Sequence, residues 1–477
     1  MKKVIRWKRA WMVVVCILLL AAIAATAQTF TTLHNFSSTD GANPFAGLVQ
    51  GRNGNLYGTT YAGGASPQCP AACGTVFEIA PGGSLTTLYN FCSLSDCTDG
   101  AGPVGGLVLS ASGDFYGTTK WGGAHASGTV FKITAKGVLT TLYSFCAQKN
   151  CTDGANPTAG LALAPNGDLF GTTYSEGNGQ LCGGGCGTVF KITASGTLTT
   201  LHVFDGTDGS GPAALSLATD GKFYGTTYQG GSSGQGTIFR ITTKGAFSSL
   251  LSFTVTDGSN PYSGLVQGTD GNLYATTSSG GTGDEGTAFK ITTSGSLTTL
   301  FNFCACSYGN EPLAALIQAT DGNFYGSTFD SGTGGTLFQM TATGAVTTLY
   351  TFCLQNGCPD GGYIYAPLVQ ATNGVFYGTA HSGGSNGDGT VFSLSAGLGP
   401  FVETNPTSGK VGTAVKILGT DLTGATRVTF NGTAAVFKVV SASLITTTVP
   451  QGATTGKVKV RTPKGTLKSN AVFRVTH

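Results

Sequence analysis

Charge is scarce in this chain. Of 477 residues, 25 are Lys or Arg and 22 are Asp or Glu, less than half the usual charged fraction. Histidine occurs five times, and no Ser/His/Asp order, His cluster or phosphate-cradling glycine loop emerges. Beyond the N-terminus no stretch reaches the ~20 apolar residues of a membrane helix. Apolar residues nevertheless make up 40%, enough for a large core, which argues against intrinsic disorder. Glycine is abundant, at 76 residues, but has no three-residue period, so collagen is excluded. A chain rich in Gly, Thr and aromatics and poor in charge reads as all-β.

Residues 1–27 read as an export signal. Lys2, Lys3, Arg6, Lys8 and Arg9 precede an apolar run at 11–25, and Ala25-Thr26-Ala27 offers a small-x-small cleavage site before Gln28. Cys16 follows Val15, which does not make a lipoprotein box. The mature protein is expected outside the cytoplasm: secreted, at the cell surface or periplasmic, without a transmembrane anchor. Its charge is uneven. Residues 28–399 hold 10 Lys/Arg against 20 Asp/Glu, a net of −10, and residues 400–477 hold 10 against 2, a net of +8. That asymmetry predicts two domains with different surfaces. The basic tail lacks interleaved aromatics and the chain is exported, so no nucleic-acid partner is expected.

An internal repeat dominates the sequence. The pattern Leu-Tyr-Gly-Thr-Thr recurs with its aromatic at Tyr57, Tyr116, Phe170, Tyr224, Tyr274, Tyr325 and Tyr377, at intervals of 50 to 59 residues. In the first copy, strands are predicted at 47–50, 56–61, 74–79 and 85–91, with an Asn-Gly turn at 53–54 and a Gly-Gly turn at 82–83. Four short strands per ~50 residues is the size of a propeller blade. The fourth-strand pattern also stands alone at 31–36, whereas the last copy stops after its third strand at 389–394. A seven-bladed β-propeller over residues 28–397, closed by the N-terminal strand, follows from that count, because closure removes an open sheet edge.

Units such as DGANPFAGLVQGRNGNLYGTTYAGG…GTVFEIAPGGSLTTLYNF resemble the GloVer tandem repeat of exported bacterial proteins, over residues 30–397. The resemblance implies a repeat architecture rather than an activity. Residues 400–477 differ: alternating runs at 414–418, 427–430, 444–449, 457–461 and 471–475 predict a small sandwich. This segment resembles the IPT/TIG immunoglobulin-like domain, with Pro406, Gly409, Gly412, Gly419, Asn431-Gly432 and Pro450 at the turns. Such domains act as spacers or binding modules at cell surfaces.

Twelve cysteines of the mature chain group locally as Cys69/Cys73, Cys92/Cys97, Cys146/Cys151, Cys182/Cys186, Cys304/Cys306 and Cys353/Cys358. Close pairs in an exported protein read as local disulfides. Zinc is the alternative for Cys-x-x-x-Cys, but companion His ligands are missing. The 304/306 pair encloses too small a ring for relaxed disulfide geometry. All six pairs fall in the loops between second and third strands or between units, hence on one face; the opposite face carries tight Gly turns only. Loops that vary on a rigid scaffold are where function concentrates.

On the bridged face the residue after each Thr-Thr step varies: Tyr61, Lys120 (with Trp121 beside it), Tyr174, Tyr228, Ser278, Phe329 and His381. Phe45 and Tyr262 follow the Asn-Pro turn nearer the axis. Tyr61, Trp121, Tyr174, Tyr228, Phe329 and His381 are the ligand-binding candidates, suited to stacking on sugar or peptide; packing between blades is the competing role. Asp40, Asp99, Asp153, Asp208, Asp257 and Asp360 recur in the Asp-Gly turn. They could ring a Ca²⁺ ion, but Asx turns account for the repetition better. No metal, cofactor or catalytic residue is assigned. The expected function is non-catalytic binding of an extracellular polysaccharide or cell-surface protein; a glycoside hydrolase or lyase on the same face and a structural envelope component are the alternatives.

Overall fold

A computed structural model describes residues 28–66, 68, 73–177, 182–304, 308–330 and 332–476; the expected export signal lies outside them. These described residues are all-β apart from two single-turn 3₁₀ helices. Residues 28–399 form seven antiparallel sheets among the described residues. The first sheet runs Val49–Gln50, Leu56–Thr60, Thr75–Ile79, Leu85–Asn90, in chain order, so the predicted limits hold to within two residues. The inner strand is only a residue pair. In the second strand Leu56–Thr60 every residue is buried, because both faces of the sheet pack against neighbouring sheets.

Two features of the repeat explain this packing. A Cβ on Gly58 would stand 2.6 Å from both Phe77 Cζ and Leu48 Cδ2, so glycine lets the third-strand ring lie flat on the second strand. At the far end of the same strand the Thr60 and Thr75 hydroxyls meet at 2.9 Å. Equivalent threonine pairs recur in five more sheets, which satisfies buried hydroxyls in the core. In the last sheet Ala380 replaces one partner, and Thr390 keeps the bond to the Asp360 carbonyl, 3.2 Å, that its counterparts Thr75 and Thr237 make to Asp40 and Asp208.

The last sheet runs Val369–Gln370, Phe376–Ala380, Thr390–Ser395 and then back to Thr29–Asn35. The N-terminal strand carries a bulge between Thr32 and His34, at the place where the outer strands of the other six sheets carry theirs. Contacts between the last and first units complete this arrangement: Gln50 Oε1 accepts from the Thr372 amide at 2.9 Å, and Thr379 Oγ1 donates to the Ala46 carbonyl at 3.1 Å.

Residues 403–475 form a β-sandwich with sheets ordered Glu403–Asn405, Ala414–Leu418, Leu444–Thr448, Phe437–Ser441 and Thr433–Ala435, Arg427–Phe430, Val458–Thr462, Gly465–Lys468. Val402, Val415, Ile417, Val428, Phe430, Ile445, Val458 and Val460 fill its core. Four of the five predicted strands stand within a residue of their expected limits, and the fifth is confined to Arg474–Val475. The edge strands went unpredicted because they are short and half exposed.

The tight-turn face is not bare. The sandwich sits on it, and the contacts reach turns of five units. Asn405 Nδ2 donates to Leu109 O at 3.2 Å, Ser443 Oγ to Arg52 O at 2.8 Å and Asn470 Nδ2 to Gln318 O at 3.4 Å. Arg474 donates to Thr219 O, and the Thr372 and Thr420 hydroxyls meet at 3.0 Å. Leu418 packs with Leu107 and Leu109. The opposite net charges do not account for the docking: none of the four ion pairs among the described residues crosses the boundary.

Cys92–Cys97, Cys146–Cys151, Cys182–Cys186 and Cys353–Cys358 are disulfides. Cys73 and Cys304 are half-cystines, while Cys69 and Cys306 lie outside the described residues. Rings this small restrict the unfolded chain by about 2 kcal/mol each. Replacing both Cys353 and Cys358 by Ser is therefore expected to lower Tm by only a few degrees. Loss of cooperative melting in that variant would show that the bridge holds the fold rather than one loop.

Candidate functional site

Each unit enters its inner strand through a turn that starts in a left-handed conformation. Ala42 and Ala62 exchange backbone bonds of 2.7 and 2.9 Å, and Asn43 follows at φ 53°. Its Nδ2 donates to His381 O of the last unit at 3.1 Å; Asn156 and Asn260 do the same to Lys120 O and Tyr228 O. Asn is suited to the conformation and ties one unit to its neighbour. Glycine takes the place at Gly102 and Gly211, where rings crowd in: a Cβ on Gly102 would lie 3.0 Å from Tyr61 Cε2 and 3.1 Å from Trp121 Cδ1. Glu311 (φ 51°) and Tyr363 (φ 58°) take it in the last two units.

Two residues further on stand Phe45, Val104, Thr158, Ala213, Tyr262, Leu313 and Tyr365. All seven line one cavity of about 350 Å³, together with Lys120, Tyr174, Tyr228 and small residues such as Ala159, Ala214 and Gly264. Tyr228 meets Tyr262 edge-on, centroids 5.9 Å apart. Although 43% of Tyr262 is open to solvent, crowding within the concavity raises its hydroxyl pKa, helped by the hydroxyls of Tyr365, Tyr174 and Tyr228.

The opposite wall is aromatic too. Phe45 touches Tyr365 at 4.6 Å, His381 at 4.5 Å and Tyr61 at 5.4 Å, and Phe329 touches Tyr365 at 4.9 Å and Tyr363 at 5.1 Å. Burial lowers the His381 pKa, which keeps the imidazole neutral at neutral pH. Beside this wall the Glu311 amide donates to Glu285 O, and the Phe329 amide donates to Glu311 O, both at 3.0 Å. The Glu311 carboxyl is pushed up by burial, then by the charges of Asp330 and Glu285.

Of the six residues singled out from sequence, Tyr174 and Tyr228 line the cavity. Tyr61, Phe329 and His381 back its wall through Phe45 and Tyr365. Trp121 is not among the lining residues; it is 41% exposed and carries the Lys120 ammonium 4.9 Å from its ring centre. Tyr365, which lines the cavity, was not singled out, nor were Tyr363 and Glu311 beside its wall. The last unit reads Gly-Tyr-Ile-Tyr where three units carry Asn-Pro, two Gly-Pro and one Glu-Pro, and aligning the turn by position rather than by residue would have found them.

The repeated aspartates are structural. Asp99 accepts the Tyr89 hydroxyl at 2.7 Å and the Ser93 amide at 2.9 Å, and Asp153 and Asp360 do likewise with Tyr143 and Tyr350. His34 and His202 stand in for that tyrosine, bonding Asp40 at 2.9 Å and Asp208 at 2.7 Å. These side chains tie the outer strand to the loop that leaves it. Among the described residues no three His, Cys, Asp or Glu side chains are grouped to hold a metal ion, and no helix is long and apolar enough to cross a membrane.

No curated protein matches the chain. Among solved structures it is similar to the extracellular domain of the hybrid two component system BT4673 from B. thetaiotaomicron (13% identity, TM-score 0.49, 95% of this chain and 60% of that one). It is also similar to a luciferin-regenerating enzyme (12%, TM-score 0.41, 79% and 98%) and to TolB from Acinetobacter baumannii (14%, TM-score 0.37, 69% and 77%). No activity is carried over from them. The Gloeobacter/Verrucomicrobia repeat matches residues 20–183, 146–334 and 214–435, and the IPT/TIG domain matches residues 401–475. The chain therefore belongs to the Gloeobacter/Verrucomicrobia repeat family and ends in an IPT/TIG domain.

Proposed function

We propose that this is an exported, non-catalytic binding protein: a seven-bladed propeller, closed by its N-terminal strand, that binds polysaccharide in the axial cavity of the bridged face. The observation that carries this reading is the cavity itself, to which every unit contributes the equivalent residue and whose walls are mainly tyrosine, phenylalanine and small side chains. Flat rings on a rigid frame lose little entropy when a sugar stacks on them. The sandwich occupies the other face, which leaves this one for a ligand. Disulfides suit an oxidising compartment outside the cytoplasm. One observation favours a second reading, a carbohydrate-active hydrolase or lyase: Glu311 has a raised pKa beside two further acids.

Retention on polysaccharide columns tests the proposal. Tyr228→Ala and Tyr262→Ala are each expected to weaken retention by ~1–2 kcal/mol at nearly unchanged Tm, whereas Trp121→Ala leaves retention intact. Unaltered retention in both tyrosine variants would sink the axial site. Release of new reducing ends by the wild-type protein, lost in Glu311→Gln, would replace binding by catalysis.

A further inference from the structure

We infer that the outer face of one sheet of the C-terminal sandwich binds a polysaccharide bearing uronic acids, through Arg427, Lys459, Arg461 and Lys468. This face is separate from the axial cavity and does not depend on what the cavity binds.

Strand register brings the four side chains together. Val428, Phe430, Val458 and Val460 fill the sandwich core, so the residues that alternate with them face outward. Arg427 stands directly opposite Arg461, and Lys459 stands directly opposite Lys468. Opposed residues are about 5 Å apart. Lys459 and Arg461 lie two apart on one strand, about 7 Å, so the four make a compact grid. All four are exposed. The remaining positions on this face, Thr429, Ala434 and Thr466, are small.

Such a grid is costly without a counter-charge, because like charges directly opposed destabilise a sheet. The domain does not supply one. Of its two acids, Asp421 pairs with Lys464 at 2.7 Å and Glu403 belongs to the other sheet. None of the four ion pairs among the described residues includes a member of the grid. Nor do these side chains make the bonds that dock the sandwich on the repeat region. The other sheet avoids the problem: its outward Lys416 and Lys438 are separated by Thr446.

Charge complementarity identifies the ligand. Guanidinium forks match carboxylates bidentately, and a polymer with a carboxylate on each sugar meets several cations at once, so weak contacts reinforce one another. The phenylalanines of the domain are buried or half-buried, so the stacking platform that single-stranded nucleic acid uses is missing. The small neutral positions offer no apolar side chain to enter a lipid surface. A second copy of this chain fits less well, because acids of the repeat region are dispersed over its turns, where Asp99, Asp270 and Asp321 each hold a tyrosine hydroxyl.

Calorimetric titration of the full-length mature protein with an alginate oligomer at low salt tests this. Alginate is expected to bind, more weakly as salt is added, and a neutral dextran oligomer is expected to owe nothing to this face. The double variant Lys459→Gln, Arg461→Gln should bind alginate about tenfold more weakly while keeping or raising Tm, since opposed like charges are removed. The double variant Lys416→Gln, Lys438→Gln removes the same charge from the other sheet and should bind as the wild type does. Equal losses in both would reduce the effect to the net charge of the domain and overturn the site. Failure of the wild type to bind alginate, or undiminished binding in the first variant, overturns it as well. The loss should also be the same in a Tyr228→Ala background; a loss that vanishes there places alginate in the axial cavity instead. Phosphatidylglycerol vesicles that bind through Lys459 and Arg461 while alginate does not would replace the polysaccharide by a lipid surface. A dimer that only the first variant dissolves, again without alginate binding, would replace it by a second copy of the chain.

Discussion

Deletion of residues 28–37 is expected to abolish cooperative folding of the repeat region, with the largest effect of any change considered for this molecule. Thr29–Asn35 pairs along the whole of Thr390–Ser395, so its loss leaves the last sheet with a bare edge, a template for aggregation. The strand also brings side chains. Phe30 stacks on Tyr350 at 3.8 Å and lies against Phe352 and Phe392 at 5.4 and 5.3 Å. Phe36 is wholly buried in a cluster that joins Leu48, Leu56 and Phe77 of the first unit to Ala371, Tyr377 and Val391 of the last. Phe36→Ala alone should cost about 3–5 kcal/mol, a large part of a typical total stability. Size-exclusion chromatography and thermal melting check both variants. A monomeric truncation that melts at the wild-type temperature would falsify the closing role of this strand.

Raising pH from about 4.5 to about 7 is expected to loosen the sandwich from the repeat region. Val402 and Thr404 face the sandwich core, so Glu403 between them points the other way, as does Asn405, which bonds Leu109. Burial alone pushes the Glu403 carboxyl up to about 7. An acid whose folded pKa lies above its unfolded one stabilises the docked state fully below the unfolded value, near 4.5, and loses that contribution as pH climbs to about 7. Accessible area shows the side chain only partly shielded, so the effect is about 1–2 kcal/mol rather than the larger figure that the shift alone would imply. Glu403→Gln should therefore raise Tm above pH 7 and flatten its pH dependence. A wild-type melting curve that does not change with pH across this interval contradicts the assignment.

Much of this was legible in the residues themselves because a repeat states its pattern seven times. Alternating apolar residues, Gly-bearing turns at constant offsets and the orphan strand pattern at 31–36 marked strand order and the pairing partner of Thr29–Asn35. Local chemistry sufficed there: hairpin registers depend on neighbours a few residues away. Cysteines four or five residues apart likewise bridge within one loop. The same locality explains why the aspartates were read correctly as turn formers.

The candidate site was legible only in part. Tyr174 and Tyr228 were singled out because they vary at a fixed step of the repeat, and the same criterion selected Trp121, which stands outside the cavity lining with Lys120 over its ring. Tyr365 escaped because its place in the cavity comes from side chains of different units meeting at one axis. The location of the sandwich was also hidden. Its net charge of +8 against −10 predicted only a separate surface, whereas side-chain bonds to backbone carbonyls and the packing of Leu418 hold it in place. The sequence by itself determined the strand order within the repeats, their turn chemistry and the four cysteine pairs seen bridged, all set by contacts between near neighbours in the chain. Which face stays open, and which seven residues share one cavity, was decided by tertiary structure, because those contacts join residues up to hundreds of positions apart and depend on how whole sheets stack.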